Sequence, residues 1–358
     1  MIDFTSSLYL GLRHGSGELG PWDQLTTGAP AALHVPPGEP EVARDIGLLM
    51  GLERSVVMRS TLHAFFDLFS LLRGGRIHVL IDSAAYPVAV SGATVARAAG
   101  APITPFGHHD VESLQARLEN VRGRPIIVTD GFCPGCRAAA PIDHYIAITA
   151  GSNALVVLDD TQAFGLLGRD PSAASPYGSG GGGTLRWLGV RSRRVVVVAS
   201  LAKALGAPVA VVVGPNNILR MLDDLGTRVH SSPPTVVDLH AAKNGLEANA
   251  ASGDARRARL LGLIRRLQAR LSRGPARPVG GIFPVQGVRT QHLAAPLEVQ
   301  RSLLERGVAA VVHHARCRPH PTLSLIITAT HRPSQIDKAA SVLSDVLAAH
   351  QPRRGAAS

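Results

Sequence analysis

Short apolar runs punctuate the first two-thirds of the chain, at 77–81, 102–104, 126–129, 155–158, 195–199 and 209–213. Helical periodicities lie between several of them, including 88–99 and 111–118. Residues 41–73 read as helices, with Leu48, Leu49, Phe65, Phe66, Leu68 and Leu71 as their apolar positions. Strands alternating with helices predict an α/β fold with a mostly parallel sheet. Such sheets bind ligands at the carboxyl ends of their strands. Asp82, Thr129, Asp130, Asp159 and Ser200 all fall at those ends.

The later part of the chain is patterned differently. Pro171, Pro176 and the run Gly178-Ser179-Gly180-Gly181-Gly182-Gly183 predict a flexible surface insertion over 171–186. No Gly-Lys-Ser/Thr follows, so this is not read as a phosphate-binding glycine loop. Pro233-Pro234 open a helical stretch reaching about residue 273, and Pro275 and Pro278 mark its end. A strand (283–288), a helix (297–306), two strands (308–312 and 323–329) and a helix (335–349) then predict a small α+β domain. The expected division is an arm (1–40), a major domain (41–232), a connecting helix (233–274) and a small domain (275–358). No internal repeat is visible.

A chain of 358 residues can bury two cores. No apolar stretch is long enough to span a bilayer, and Met1-Ile2-Asp3-Phe4 does not resemble a secretory signal. Three cysteines, an odd number, fit a reducing, cytoplasmic setting. The net charge of +11 is mostly arginine. Arg256, Arg257, Arg259, Arg265, Arg266 and Arg270 cluster on the long predicted helix. They read either as a solvated face or as attraction to an anionic partner, such as coenzyme A or an acidic acyl carrier protein. Nucleic acid is excluded as the partner, because no binding motif accompanies the arginines and aromatics make up only 4%.

The chemistry concentrates at two strand ends. One apolar run ends in Asp159-Asp160, and the run at 195–199 leads into Ser200-Leu201-Ala202-Lys203. A carboxylate on one strand and a hydroxyl with a lysine on the next point to pyridoxal phosphate. That cofactor needs an amine for its Schiff base. It also needs an anion that keeps its ring nitrogen protonated.

Four segments resemble the α-oxoamine synthase family of fold-type I pyridoxal phosphate enzymes. Tyr9-Leu10-Gly11-Leu12 is similar to its Tyr-Leu-Gly-Leu, and Asp159 to Gly168 to its Asp-Glu-Ala-His-x-x-Gly-x-x-Gly. Ser200 to Gly206 resembles Thr-x-Ser-Lys-Ala-x-Gly, and Thr328-Ala329-Thr330-His331 resembles Thr-Ala-x-His. The four occur in the family's order. The resemblance implies that Lys203 carries the cofactor, that Asp159 pairs with its ring nitrogen and that Ser200 bonds its phosphate. Thr61 and Leu62 fall where the family binds phosphate through helix-start amides, and Asp130 is counted among the cofactor-binding positions. His230-Ser231-Ser232-Pro233-Pro234 resembles the segment that reaches a neighbouring subunit's phosphate, which implies a homodimer.

Several positions depart from the family. Tyr86 stands in place of the histidine that stacks on the cofactor, and Gln162 in place of the histidine that contacts its phenolic oxygen. Pro134 replaces a serine. Ser324 occupies the place of the arginine that clamps the substrate carboxylate, leaving Arg318 or Arg316 to take over or the substrate without a free carboxylate. Cys133-Pro134-Gly135-Cys136 is a C-x-x-C knuckle, and His313, His314, Cys317 and His320 form a second group of sulfur and nitrogen donors. A tetrahedral zinc site is one reading of them. With no second C-x-x-C, pocket-lining cysteines and loop histidines are preferred, and no metal is assigned.

The resemblance implies a decarboxylative condensation of an amino acid with an acyl thioester, with Lys203, Asp159 and Tyr86 as the catalytic group. An aminotransferase is the alternative, favoured by Tyr86 and the two replaced histidines. A catalytically silent protein of this fold is a third. The departures are read as signs of a specialised pathway.

Overall fold

The computed structural model describes residues 1–25, 28, 32–73, 76–272, 278–288 and 295–349. These form two compact units. The large unit comprises Leu12–Cys133 and Ala138–Asp254; the small unit comprises Met1–Gly11, Pro134–Arg137 and the chain from Ala255 onward.

The large unit is built on a seven-stranded sheet: β1 (Arg54–Met58), β2 (Ile77–Asp82), β3 (Ile103–Phe106), β4 (Arg124–Asp130), β5 (Leu155–Asp159), β6 (Val195–Ser200) and β7 (Ala210–Gly214). Their spatial order is β1-β7-β6-β5-β4-β2-β3. β7 alone runs antiparallel to its neighbours β6 and β1, and the other pairs are parallel. The central strands are buried throughout, which explains their unbroken apolar sequence. β1 is a strand that the hydrophobic pattern did not reveal. It interrupts the helical reading of 41–73, which resolves into helices Glu39–Met50 and Thr61–Leu72 on either side of it. Leu48 and Phe66, expected on the apolar face, are exposed. Helix Thr61–Leu72 packs on helix Pro87–Ala98. A Cβ at Gly92 would lie 2.5 Å from that of Phe65, so the close approach needs glycine.

The predicted insertion is exposed only over 171–175. From Tyr177 to Leu185 the chain is largely buried, with a short helix over Thr184–Leu188. The glycines there permit tight packing rather than flexibility. A Cβ at Gly183 would fall 2.0 Å from Asp160 Oδ2, and one at Gly182 would fall 2.3 Å from the Leu49 carbonyl.

In the small unit, strands Pro278–Val279, Val285–Val288, Thr322–Ile326 and Val311–His313 form an antiparallel sheet in that order. Helices Pro296–Glu305 and Pro333–Ala349 complete its α+β pattern. The boundary residue Pro275 lies outside the described residues. The first residues are part of this unit rather than a separate arm. Ile2–Asp3 pair in parallel with Val308–Ala309, and the Phe4 ring stacks on His331 at 4.4 Å. The helix predicted as a connector runs over Val236–Leu271, and its later half, from Ala255, belongs to the small unit.

That part of the helix shows what the arginines contact. Arg256 donates to the Leu10 carbonyl, and Arg259 to the carbonyls of Ala329 and His331. Arg266 and Arg270 both clamp Asp337, and Arg257 is buried. Much of the cluster thus makes contacts inside the small unit, while Arg259, Arg265, Arg266 and Arg270 remain exposed. No described helix is long and apolar enough to cross a membrane.

Candidate active site

β4, β5 and β6 end side by side. Asp130 and Asp159 are register partners on adjacent parallel strands, which sets both carboxylates at one edge of the sheet. Asp159 is 7% exposed, and its Oδ1 accepts the Thr161 amide at 3.0 Å. Thr161 Oγ1 accepts the amide of Ser200 at 3.1 Å, tying the end of β5 to that of β6. Asp130 Oδ1 accepts the amide of Tyr86, the N-cap of helix Pro87–Ala98, at 3.0 Å. Half of the Tyr86 side chain is exposed.

Lys203 lies in the turn after β6. Burial holds its ammonium below the ordinary lysine range, while Asp159 and Asp130 act in the opposite direction. Burial raises both carboxyls; repulsion from Asp159 adds to the rise at Asp130, and the Thr161 bonds and Lys203 moderate it at Asp159. Two carboxyls thus share one lysine. A second cation between them would relieve this imbalance, as a protonated pyridine nitrogen does.

The antiparallel β7 brings a fourth strand end to the same edge. Ala210 is the register partner of both Ser200 and Met58. β1 therefore finishes near Ser200, and Ser60 caps the helix that follows by accepting the His63 amide. Thr61 and Leu62 are the first residues of that helix, whose amides favour an anion. Ser200 Oγ accepts the Ala202 amide at 3.2 Å. An amine, a buried carboxylate, a hydroxyl and a helix start along one edge fit the aldehyde, ring nitrogen and phosphate of pyridoxal phosphate.

The four sequence motifs interlock in pairs. In the large unit, a Cβ at Gly165 (φ 79°) would lie 2.4 Å from that of Ala204, so the aspartate and lysine segments meet there. In the small unit, a Cβ at Gly11 (φ 67°) would strike the Thr330 side chain at 2.2 Å. There His331 Nε2 also bonds the Asp3 carbonyl at 2.9 Å and its Nδ1 meets Thr328 Oγ1 at 2.9 Å. Thr328–His331 is thus a fastening for the N-terminal strand.

A profile of the aminotransferase class I and II family matches residues 34–343. The chain belongs to this family. It is 30% identical over 308 residues to an 8-amino-7-oxononanoate synthase of Anaeromyxobacter dehalogenans, covering 83% of this chain and 72% of that one. Among solved structures, serine palmitoyltransferase of Sphingomonas wittichii is similar at a TM-score of 0.81 and 19% identity, covering 96% of this chain and 86% of that one. An 8-amino-7-oxononanoate synthase from Francisella tularensis gives 0.73 and 16%, covering 97% and 98%. The fold is that of the fold-type I pyridoxal phosphate enzymes.

The remaining predicted residues divide. Gln162 follows Thr161 in the turn after β5. Ser324 lies in the small unit, fully buried, with no hydrogen-bond partner for its hydroxyl among the described residues. It lines a cavity of about 180 Å³ with Arg318, Arg137, His313 and Thr322. Arg318 Nε donates to the Gly135 carbonyl at 2.7 Å. Arg316 is exposed and does not line the cavity. Sequence reasoning missed Thr161, whose only signal was its place directly after the paired aspartates. Asp160 is fully buried and holds Thr184, whose amide and hydroxyl it accepts at 2.9 and 2.5 Å.

Proposed function

We propose that this chain joins an amino acid to an acyl thioester, releasing carbon dioxide and the thiol and giving an α-amino ketone. The observation that carries this reading is a half-buried Lys203 that feels the charges of Asp159 and Asp130 at the sheet edge, in a chain 30% identical to an 8-amino-7-oxononanoate synthase. Lys203 would hold pyridoxal phosphate, and Asp159 would pair with its ring nitrogen. Ser200 and the amides of Thr61 and Leu62 would hold the phosphate. Tyr86 would supply an aromatic face for the ring, and Gln162 a donor for the phenolic oxygen. When bound, the cofactor supplies an electron sink for charge left on the substrate's α carbon.

The protein's own groups do the rest. Burial brings the neutral amine of Lys203 closer to reach than that of a free lysine, which suits Nζ to take a proton from the α carbon. Asp159 stays anionic once it faces a cation, which reverses the effect of its burial. Tyr86 supplies an aromatic face but no titrating imidazole. In the small unit, Arg318 rather than Arg316 binds the substrate carboxylate, because it lines the cavity that holds Ser324. The thioester is carried by coenzyme A or by an acyl carrier protein. His230–Pro234 belongs to a dimer contact, and its residues from Ser231 onward line a cavity of about 560 Å³ in the large unit.

The test is an amino-acid panel given to the cofactor-loaded protein with and without acyl thioesters, reading free thiol, carbon dioxide and the cofactor spectrum. Thiol release that requires both substrates, and falls by at least ~100-fold in Lys203→Ala, is expected. Conversion to the pyridoxamine form without thiol release would make the protein an aminotransferase instead.

A further inference from the structure

The residues that line the cavity around Ser324 all belong to the small unit, which includes Pro134–Arg137. Thr322 and Ser324 are alternate residues of one strand, so their side chains share a face of the sheet. The strand partners of Ser324 are Val311 and Gly287. Gly287 carries no side chain and lines the cavity, which leaves space beside the serine. The Ser324 hydroxyl is fully buried and finds no partner among the described residues. A buried hydroxyl without a partner costs free energy, and an acceptor on a ligand would remove that cost.

Two guanidinium-bearing residues, Arg137 and Arg318, line the same cavity. Arg318 Nε donates to the Gly135 carbonyl at 2.7 Å, which ties that side chain to the segment carrying Arg137. The terminal nitrogens of Arg318 and the guanidinium of Arg137 meet no acceptor among the described residues. Arg137 has φ 65°, in the left-handed region that glycine enters at least cost. Non-glycine residues held in this conformation concentrate at ligand sites. Among the described residues, no carboxylate lines the cavity. His313 lines it too, but burial holds its imidazole below the ordinary histidine range and so neutral. The lining thus brings two positive charges and no negative one.

We propose that this cavity binds a dicarboxylate, with Arg318 and Arg137 each pairing with one carboxylate and the Ser324 hydroxyl donating to the ligand. Guanidinium and carboxylate match in shape and charge. A monocarboxylate would leave one guanidinium without a counter-ion. The volume of about 180 Å³ suits a ligand larger than a single carboxylate, since a cavity of about 150 Å³ holds benzene. Arg318 and Arg137 supply from two neighbouring segments the charge that Ser324 does not. The identity of the ligand rests on the condensation proposed above. On that reading the dicarboxylate is the substrate amino acid, one with an acidic side chain, and Arg137 is the residue that selects it.

Full-length, cofactor-loaded protein is titrated in a calorimeter with succinate, glutarate, butyrate and inorganic phosphate. One of the two diacids is expected to bind at least ~10-fold more tightly than butyrate, the gain of a second charge-assisted pair. Arg137→Gly should remove that preference without lowering Tm, because glycine suits the left-handed backbone. A structural role alone would lower Tm and leave the preference intact. Ser324→Ala should weaken diacid binding about 2–10-fold, the worth of one hydrogen bond. Should a variant fail to fold, the parent's preference still decides the question. Equal binding of butyrate and the diacids overturns the proposal, as does tighter binding of phosphate, or an Arg137→Gly variant that keeps the preference. Condensation is read separately, as thiol release with aspartate, glutamate and alanine. Diacid binding without thiol release from any of them keeps the dicarboxylate site and removes the condensation. Thiol release that favours alanine over both acidic amino acids keeps the condensation and overturns the role given to Arg137.

Discussion

At the scale of the residue, charge balance decides what the active site can hold. Lys203 was legible because it follows an uninterrupted apolar strand with a hydroxyl before it. Asp159 was legible for the same reason. Thr161 was not, since a threonine in a turn has no pattern of its own; its role appears only when β5 and β6 stand side by side. The substitution of Ser324 for an arginine was also legible, but its consequence was not. The structure leaves its hydroxyl without a protein partner in a cavity that Arg318 lines and Arg316 does not. Arg318→Ala is therefore expected to raise KM for the amino acid at least ~10-fold, the loss of a charge-assisted hydrogen bond. Arg316→Ala should leave KM close to that of the parent. Steady-state kinetics at saturating thioester separate the two.

At the scale of the element, close packing replaced what composition had implied. The glycine-rich run read as flexible because its residues carry no side chains. Those missing side chains are what let 177–185 lie against Leu49 and Asp160. β1 was missed because only Val56, Val57 and Met58 are buried on this edge strand, too short a run to register as a strand. Asp160 fastens the glycine-rich run, and burial pushes its carboxyl up to about 7. A carboxyl raised in the folded state binds protons that the unfolded chain has released. Stability should therefore fall as pH rises from 3.8, its ordinary value, through about 7. Asp160→Asn keeps an acceptor for Thr184 without the charge. Its urea midpoint should fall less steeply across that range than the parent's.

At the scale of the whole molecule, the α/β class and the small α+β unit were readable from periodicity, because regular elements repeat a local rule. The membership of the first eleven residues was not, since Ile2–Asp3 pair with a strand some three hundred positions away. The arginine helix shows the same limit. Its charge read as a surface, and Arg259, Arg265, Arg266 and Arg270 are exposed, but the contacts that Arg256, Arg259, Arg266 and Arg270 make within the small unit were not readable. The remaining whole-molecule expectation is assembly. Light scattering should give twice the chain mass of 37.5 kDa for the cofactor-loaded protein, whereas a fully active monomer would remove the role assigned to His230–Pro234.

The reversed direction of β7 has a consequence for synthesis. Met58 and Ser200 are aligned only through Ala210, which lies between them in the sheet. Sequence proximity brings none of the three together. A nascent chain that has emerged only as far as Lys203 carries that lysine and Asp159, but not the strand that aligns Met58 with Ser200. On the proposed reading, the strand that aligns the phosphate end of the site is therefore the last strand of the large sheet to be made.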